Sequence, residues 1–172
     1  PEQPRGSTAL FHVIDPRDFE RPLLDELCNL ATRVRTIAKS PAGARFLQDL
    51  APNRRAMLYF TQPSTRTFLS FNNSCHLLGI RTSEIRDPST SSEVKGESFE
   101  DAIRTFSSYV DIIIMRSRQP GRAGYAAGLM DTIARPIPII NAGSGSDQHP
   151  TQALLDIYTL AVSYTHLTLP TI

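Results

Sequence analysis

The chain has 172 residues, of which 40% are hydrophobic and 20% charged, and its formal net charge is +1. This length favours one domain with a sizeable core, and the near-neutral charge excludes a global field that would attract nucleic acid or an anionic membrane. No apolar run approaches the roughly 18 residues of a membrane helix. Cys28 and Cys75 lack a metal-like spacing, so we expect reduced, buried thiols and a cytoplasmic location.

From residue 23 to 37 apolar side chains recur at helical spacing, with Asp15-Pro16 as a start signal and Ser40-Pro41 as a stop signal. A short buried strand is predicted at 56–60, and the helix behind it ends at Gly79. Polar loops are predicted at 87–97 and 141–148. The rest of the chain continues the alternation, with strands at 80–85, 110–115 and 136–140 and helices around 99–106, around 126–130 and from 150 onwards.

Uniformly apolar strands that alternate with helices predict an α/β fold. We expect a parallel sheet of about four strands with helices on both faces, in three layers. In such sheets ligands bind beyond the carboxyl ends of the strands. Functional residues should therefore lie just after positions 60, 85, 115 and 140.

Four consecutive polar residues, Ser64, Thr65, Arg66 and Thr67, follow the first strand, where the next helix begins. Unpaired amides at a helix start attract anions, hydroxyls add donors, and the arginine fork suits phosphate oxygens. The alternative is an ordinary helix cap with Arg66 in solvent. The glycines and the lysine of a Walker loop are absent.

The other strand ends add further candidates. Arg116 directly follows the third predicted strand, and His149 and Gln152 flank the start of the last helix. The second loop holds Ser91 and Lys95. Taken singly, these could be a surface arginine, a helix cap and a solvated loop; together they predict a pocket for a small anion that carries a carbonyl and an amide.

The chain offers neither a nucleophile–base set nor a carboxylate pair, and its histidines at 12, 76, 149 and 166 are scattered. We therefore expect no metal and no cofactor. Direct group transfer with electrostatic stabilisation is the predicted chemistry.

In combination, these motifs resemble the amino-terminal, carbamoyl-phosphate-binding domain of the aspartate and ornithine carbamoyltransferases, over residues 11–161. The resemblance is carried by Ser64-Thr65-Arg66-Thr67, Lys95-Gly96-Glu97, Met115-Arg116 and His149-Pro150-Thr151-Gln152. The run from His149 to Asp156 and the Pro63-Ser64 form look more like the aspartate enzymes.

The resemblance implies transfer of a carbamoyl group from carbamoyl phosphate to L-aspartate, a step of pyrimidine synthesis. It implies catalytic roles for Arg66, Thr67, Arg116 and His149, and ligand binding by the same four residues together with Ser64, Thr65 and Gln152. Ser91 and Lys95 would reach a neighbouring subunit of a homotrimer, with or without regulatory or other pathway subunits.

Three alternatives stay open from the sequence. The intact protein could act on ornithine or another amino acid, or be a non-catalytic carbamoyl-phosphate-binding module. An unrelated flavodoxin-like domain that binds a nucleotide or flavin phosphate also fits the strand–helix pattern.

The sequence departs from the family at several points. Gln62 stands where aspartate enzymes usually carry a glutamate that helps hold the two domains closed, and Phe68 replaces a more usual arginine. The family's second, amino-acid-binding domain is absent, so we expect little transferase activity from this chain alone. Residues 162–172 are predicted to be a non-native tail, because 163–172 resemble a translated sequencing-adapter read-through.

Overall fold

A computed structural model describes residues 10–86, 96–145 and 148–163. After a short 3-10 turn at Pro16–Asp18, its helices are α1 (Arg21–Ile37), α2 (Pro41–Gln48), α3 (Thr65–Leu77), α4 (Phe99–Tyr109), α5 (Arg122–Asp131) and α6 (Pro150–Ser163). Its strands are β1 (Arg55–Phe60), β2 (Arg81–Ile85), β3 (Ile112–Ser117) and β4 (Ile139–Ser144).

The four strands form one parallel sheet in the order β2-β1-β3-β4. This confirms the predicted fold class. The chain moves from β1 to one side to form β2 and then crosses to the other side for β3, so the strand order reverses at β1. Ligands of open α/β sheets bind at such a reversal, beyond the carboxyl ends of the strands.

Both faces of the sheet are buried. Met57 and Tyr59 point to one face and pack with residues of α4 and α5, whereas Leu58 and Phe60 point to the other and pack with α3. Alternate residues of a strand face opposite sides, so every position of β1 after Arg55 must be apolar. This explains why the strand reads as a continuous apolar run.

The sequence analysis missed one helix, α2. Ser40-Pro41, interpreted as the end of α1, is also the start of α2: the Ser40 hydroxyl accepts a hydrogen bond from the Gly43 amide at 3.0 Å. Proline in the first helical turn lacks only an N–H that would have no intrahelical partner. The same two residues therefore end one helix and begin the next.

The predicted bounds of β3 and β4 were wrong. β3 extends to Ser117, so Arg116 lies inside the strand, opposite Phe60, and does not follow it. β4 begins at Ile139, because the prolines at 136 and 138 have no N–H for a strand ladder. Its last four residues, Asn141–Ser144, were predicted as loop, but they are buried beside β3.

Cys75 is buried in the α3 face of the core, and burial raises the pKa of its thiol. Cys28 is only partly buried, so the prediction of two buried thiols holds for Cys75 alone.

Within residues 10–86, 96–145 and 148–163, no helix is long and apolar enough to cross a membrane. The same segments bring together no group of three potential metal ligands.

We expect Leu58→Ala to lower the free energy of unfolding by about 2–5 kcal/mol, because it leaves a cavity at a fully buried position of the central strand. Leu69→Ala, at a position 48% exposed on α3, should change it by at most about 0.5 kcal/mol. Urea unfolding of both variants measures the difference, and equal losses would contradict the assignment of Leu58 to the core.

Candidate active site

The start of α3 lies directly beyond β1. Ser64 occupies the N-cap position but makes no side-chain cap hydrogen bond; its hydroxyl instead donates to Thr67 Oγ1 at 3.0 Å. Thr65 and Arg66 are exposed. The first-turn amides are thus left without a side-chain acceptor, and the helix dipole favours an anion there. The alternative of an ordinary cap is thus contradicted for the side-chain cap, whereas the exposed Arg66 agrees with it.

Arg116 connects the ends of three strands. Its carbonyl oxygen accepts hydrogen bonds from the Thr61 amide at 2.9 Å and the Thr61 hydroxyl at 3.3 Å, just beyond β1. Its side chain reaches the other way, where Nη1 donates to the Ala142 carbonyl of β4 at 2.8 Å. These bonds fix the guanidinium at the carboxyl edge of the sheet.

Gly143 allows Arg116 and His149 to come together. A methyl group on Gly143 would stand 2.2 Å from Arg116 Nη1 and 3.2 Å from His149 Cδ2, and the backbone here has φ of +112°. Both the close approach and the positive φ require glycine. The guanidinium and the imidazole are therefore neighbours across one residue without a side chain.

The side-chain amide of Asn141 holds Arg116, Gly143 and His149 in this arrangement through hydrogen bonds to the neighbouring backbone. Its Oδ1 accepts from the Gly143 amide at 2.9 Å, and its Nδ2 donates to the carbonyls of Ile14 and Gln148 at 3.0 and 3.2 Å. The buried amide thus holds the end of β4 and the backbone before His149 in place. Sequence reasoning missed Asn141, although a polar residue between an apolar run and a glycine-rich segment was a usable signal.

One contact favours a single tautomer of His149. The Gln152 amide, which also donates to the His149 carbonyl at 3.0 Å, lies 3.3 Å from Nδ1; because a backbone amide can only donate, this contact favours the neutral ring with its proton on Nε2. Burial, followed by the positive charge of Arg116, lowers the pKa of His149. Near pH 7 the side chain is therefore a neutral hydrogen-bond donor.

Gln152 is oriented by its own helix. Its Nε2 donates to Asp156 Oδ1 at 2.9 Å, which leaves Oε1 as an acceptor for an N–H group of a ligand. Asp156 was not singled out from the sequence, although its spacing of one helical turn from Gln152 was visible there. Ser91 and Lys95, the two candidates in the second loop, lie outside the described residues.

Two buried side-chain atoms of the described residues have no hydrogen-bond partner, Gln62 Oε1 and Arg116 Nε. Both belong to residues at the carboxyl edge of the sheet. Buried polar atoms are nearly always paired, and an exception calls for an explanation such as a missing ligand. Burial also lowers the pKa of Arg116, and an adjacent anion would relieve that cost.

The reversal of strand order and the side chains gathered there define a parallel α/β domain of the ligand-binding class. Residues 12–162 match the family model for the aspartate/ornithine carbamoyltransferase carbamoyl-P binding domain. The chain belongs to this family, as its motifs had predicted.

Relatives and solved structures agree with this assignment. The chain is 37% identical over 154 residues to the aspartate carbamoyltransferase catalytic subunit of Methanoculleus marisnigri, which covers 90% of this chain and 48% of that protein. It is 40% identical over 154 residues to the chloroplastic aspartate carbamoyltransferase of Arabidopsis thaliana, covering 88% of this chain and 37% of the relative. The chain thus spans about half or less of these relatives.

Among solved structures, the catalytic subunit of M. jannaschii aspartate transcarbamoylase matches with a TM-score of 0.77 and 35% identity, over 90% of this chain and 48% of that one. Aspartate transcarbamoylase from Trypanosoma cruzi, in complex with carbamoyl phosphate and aspartate, matches with a TM-score of 0.77 and 31% identity, over 88% of this chain and 47% of the other.

Gly143→Ala should weaken binding of inorganic phosphate, because the added methyl group displaces the Arg116 guanidinium, and should cost about 1–3 kcal/mol of stability through the strained backbone. Gly128→Ala is the matched control: it lies in α5 with no atom within 4 Å of an added methyl group, and should be neutral or stabilising by about 1 kcal/mol. Calorimetric titration and urea unfolding measure both effects. Unchanged phosphate affinity in Gly143→Ala would contradict the expected contact between Arg116 and the phosphate.

His149 should also make stability depend on pH. The unfolded chain protonates this histidine near pH 6.5, whereas the native ring, whose pKa is lower, resists the proton. Below about pH 6.5 the unfolded state therefore binds more protons, and the free energy of unfolding falls. His149→Asn should reduce this pH-dependent loss of the free energy of unfolding. His76→Asn is the control, because His76 is exposed near the end of α3, and it should leave the loss unchanged. Urea unfolding between about pH 7 and about pH 5 tests this; superimposable profiles for wild type and His149→Asn would refute it.

Proposed function

We propose that the intact protein is an aspartate carbamoyltransferase and that this chain supplies its carbamoyl-phosphate-binding half. The observation that carries the proposal is the partly buried Arg116, whose buried Nε is unpartnered, packed across Gly143 against a neutral His149. A cation beside a neutral hydrogen-bond donor suits a ligand that has both a phosphate and a carbonyl. The aspartate carbamoyltransferases among the relatives support L-aspartate as the second substrate.

In the proposed ground state, the phosphate lies at the start of α3. The first-turn amides, the hydroxyls of Thr65 and Thr67, and the Arg66 guanidinium provide donors for its oxygens. The Ser64 hydroxyl would join them by exchanging its hydrogen bond to Thr67 for one to the phosphate. Arg116 reaches between phosphate and carbonyl. Gln152 Oε1, the end of the amide that Asp156 leaves free, accepts from the carbamoyl NH₂ group.

In the reaction, the amine of the amino acid attacks the carbonyl carbon and a C–N bond forms. Negative charge builds on the carbonyl oxygen, where His149 Nε2–H and Arg116 donate hydrogen bonds. The C–O bond to phosphate then breaks, phosphate leaves with the electron pair, and the leaving phosphate takes up the proton that the amine gives up. Because His149 is already neutral, it stabilises the oxyanion without having to transfer a proton.

Several further features are part of the same proposal. Ser91 and Lys95 would complete the site of an adjacent subunit, which makes the assembly a homotrimer, with or without regulatory or other pathway subunits. The amino acid would be held by the second half of the protein. A cytoplasmic location is proposed, although the Arabidopsis and rice relatives are named as chloroplastic.

The test uses the protein expressed from the full open reading frame, assayed with carbamoyl phosphate and either L-aspartate or L-ornithine. We expect turnover with L-aspartate, and His149→Gln should reduce kcat by about a hundredfold to a thousandfold, the usual cost of one oxyanion donor. His76→Gln is the control histidine and should retain activity. Turnover with L-ornithine alone would overturn the choice of substrate, and binding without turnover would favour the non-catalytic alternative.

The 172-residue chain alone should bind carbamoyl phosphate yet show little or no transfer to L-aspartate, because it spans about half of the relatives it matches and the proposal assigns the amino acid to the other half. Calorimetric titration and a carbamoyl-aspartate assay measure the two properties. Robust turnover by this chain would show that it carries both substrate sites.

A further inference from the structure

A pocket of about 240 Å³ lies on the β2 side of the α3 start. Its lining includes Ser64 and Thr65 of residues 64–67, the proposed phosphate loop, together with Gln62, Phe68 and Arg86. None of the described residues that line it is acidic. The pocket therefore shares Ser64 and Thr65 with the phosphate loop, and neither Arg116 nor His149 is among its described lining residues.

Arg86 is the charged group of this pocket. It follows the last residue of β2, and its guanidinium carbon lies 4.2 Å from the centroid of the Phe68 ring. Stacking on an aromatic face holds a guanidinium in place and leaves its N–H groups, which lie in its own plane, free to donate. Within the described segments Arg86 has neither an ion-pair partner nor a hydrogen-bond partner.

Gln62 lines the same pocket, and its Oε1 is one of the two unpartnered buried atoms named above. This oxygen is a hydrogen-bond acceptor, so it suits an N–H group of a ligand and not a phosphate oxygen. Because the side chain is uncharged, it does not neutralise Arg86. The pocket therefore combines a fixed cation with a buried polar group and the hydroxyls of the phosphate loop.

We propose that Arg86 is a further anion-binding residue that contacts the phosphoryl group of the ligand. β2 and β3 are the two neighbours of β1, so Arg86 and Arg116 would bind the phosphate from opposite sides of the loop that follows β1. This inference rests on the proposed function, because it takes the start of α3 as the phosphate site. Phe68 acts as a positioning residue that holds Arg86 in place.

The test is calorimetric titration of this chain with inorganic phosphate and, separately, with carbamoyl phosphate at low salt. Arg86→Gln should raise Kd about tenfold, the usual effect of losing a hydrogen bond to a charged group. Arg81→Gln, exposed at the opposite end of the same strand, should leave Kd within about twofold. Phe68→Leu should raise Kd by an intermediate factor, because it removes the ring under Arg86. Phe68→Tyr keeps an aromatic face and should therefore leave Kd close to the wild-type value.

Thermal unfolding without ligand separates binding from structure. If Arg86→Gln lowers Tm but leaves Kd unchanged, Arg86 only clamps β2 to α3 and the inference is overturned. Phosphate binding that Arg66→Gln weakens and Arg86→Gln does not would overturn the inference while leaving the proposed function intact. Failure of the wild-type chain to bind either ligand would overturn both.

Discussion

The hydrogen bond from Arg116 to the Ala142 carbonyl holds a charged side chain at the edge of a buried sheet, and the rest of the site is arranged around it. Burying a guanidinium is costly unless its donors are paired. One nitrogen is paired with β4, and another has no partner among the described residues. Gly143 must lack a side chain to admit the group, and Asn141 must hold Gly143. The guanidinium in turn helps keep His149 neutral.

This dependence links the core of the protein to its chemistry. The strand register places Arg116 opposite Phe60, so the backbone that positions the guanidinium is fixed by the same ladder that buries β1. The carbonyl of Arg116 then fixes Thr61, at the entrance to the phosphate loop. A shift in the pairing of β1 and β3 would therefore displace the arginine and the loop together. The proposed catalytic groups gain precision because they are attached to strand ends, whose positions the sheet determines.

Sequence alone predicted the alternation of strands and helices, the sheet type and the side chains at the strand ends, because apolar periodicity reports burial directly. It failed where one signal had two meanings, as at Ser40-Pro41. It also failed where tertiary contacts decide the structure: Asn141–Ser144 has the composition of a loop but is a strand because β3 lies beside it. The role of Gly143 could not be predicted, since it depends on a side chain distant in sequence.

The start of α3 has a thermodynamic consequence. Since the Ser64 hydroxyl is engaged with Thr67, α3 lacks the roughly 1 kcal/mol that a side-chain cap usually contributes to a helix. An anion that accepts hydrogen bonds from the same amides would take the place of the cap. Anion binding and the order of the first turn of α3 are then coupled. A change that frays this turn weakens binding, and an anion bound there suppresses fraying.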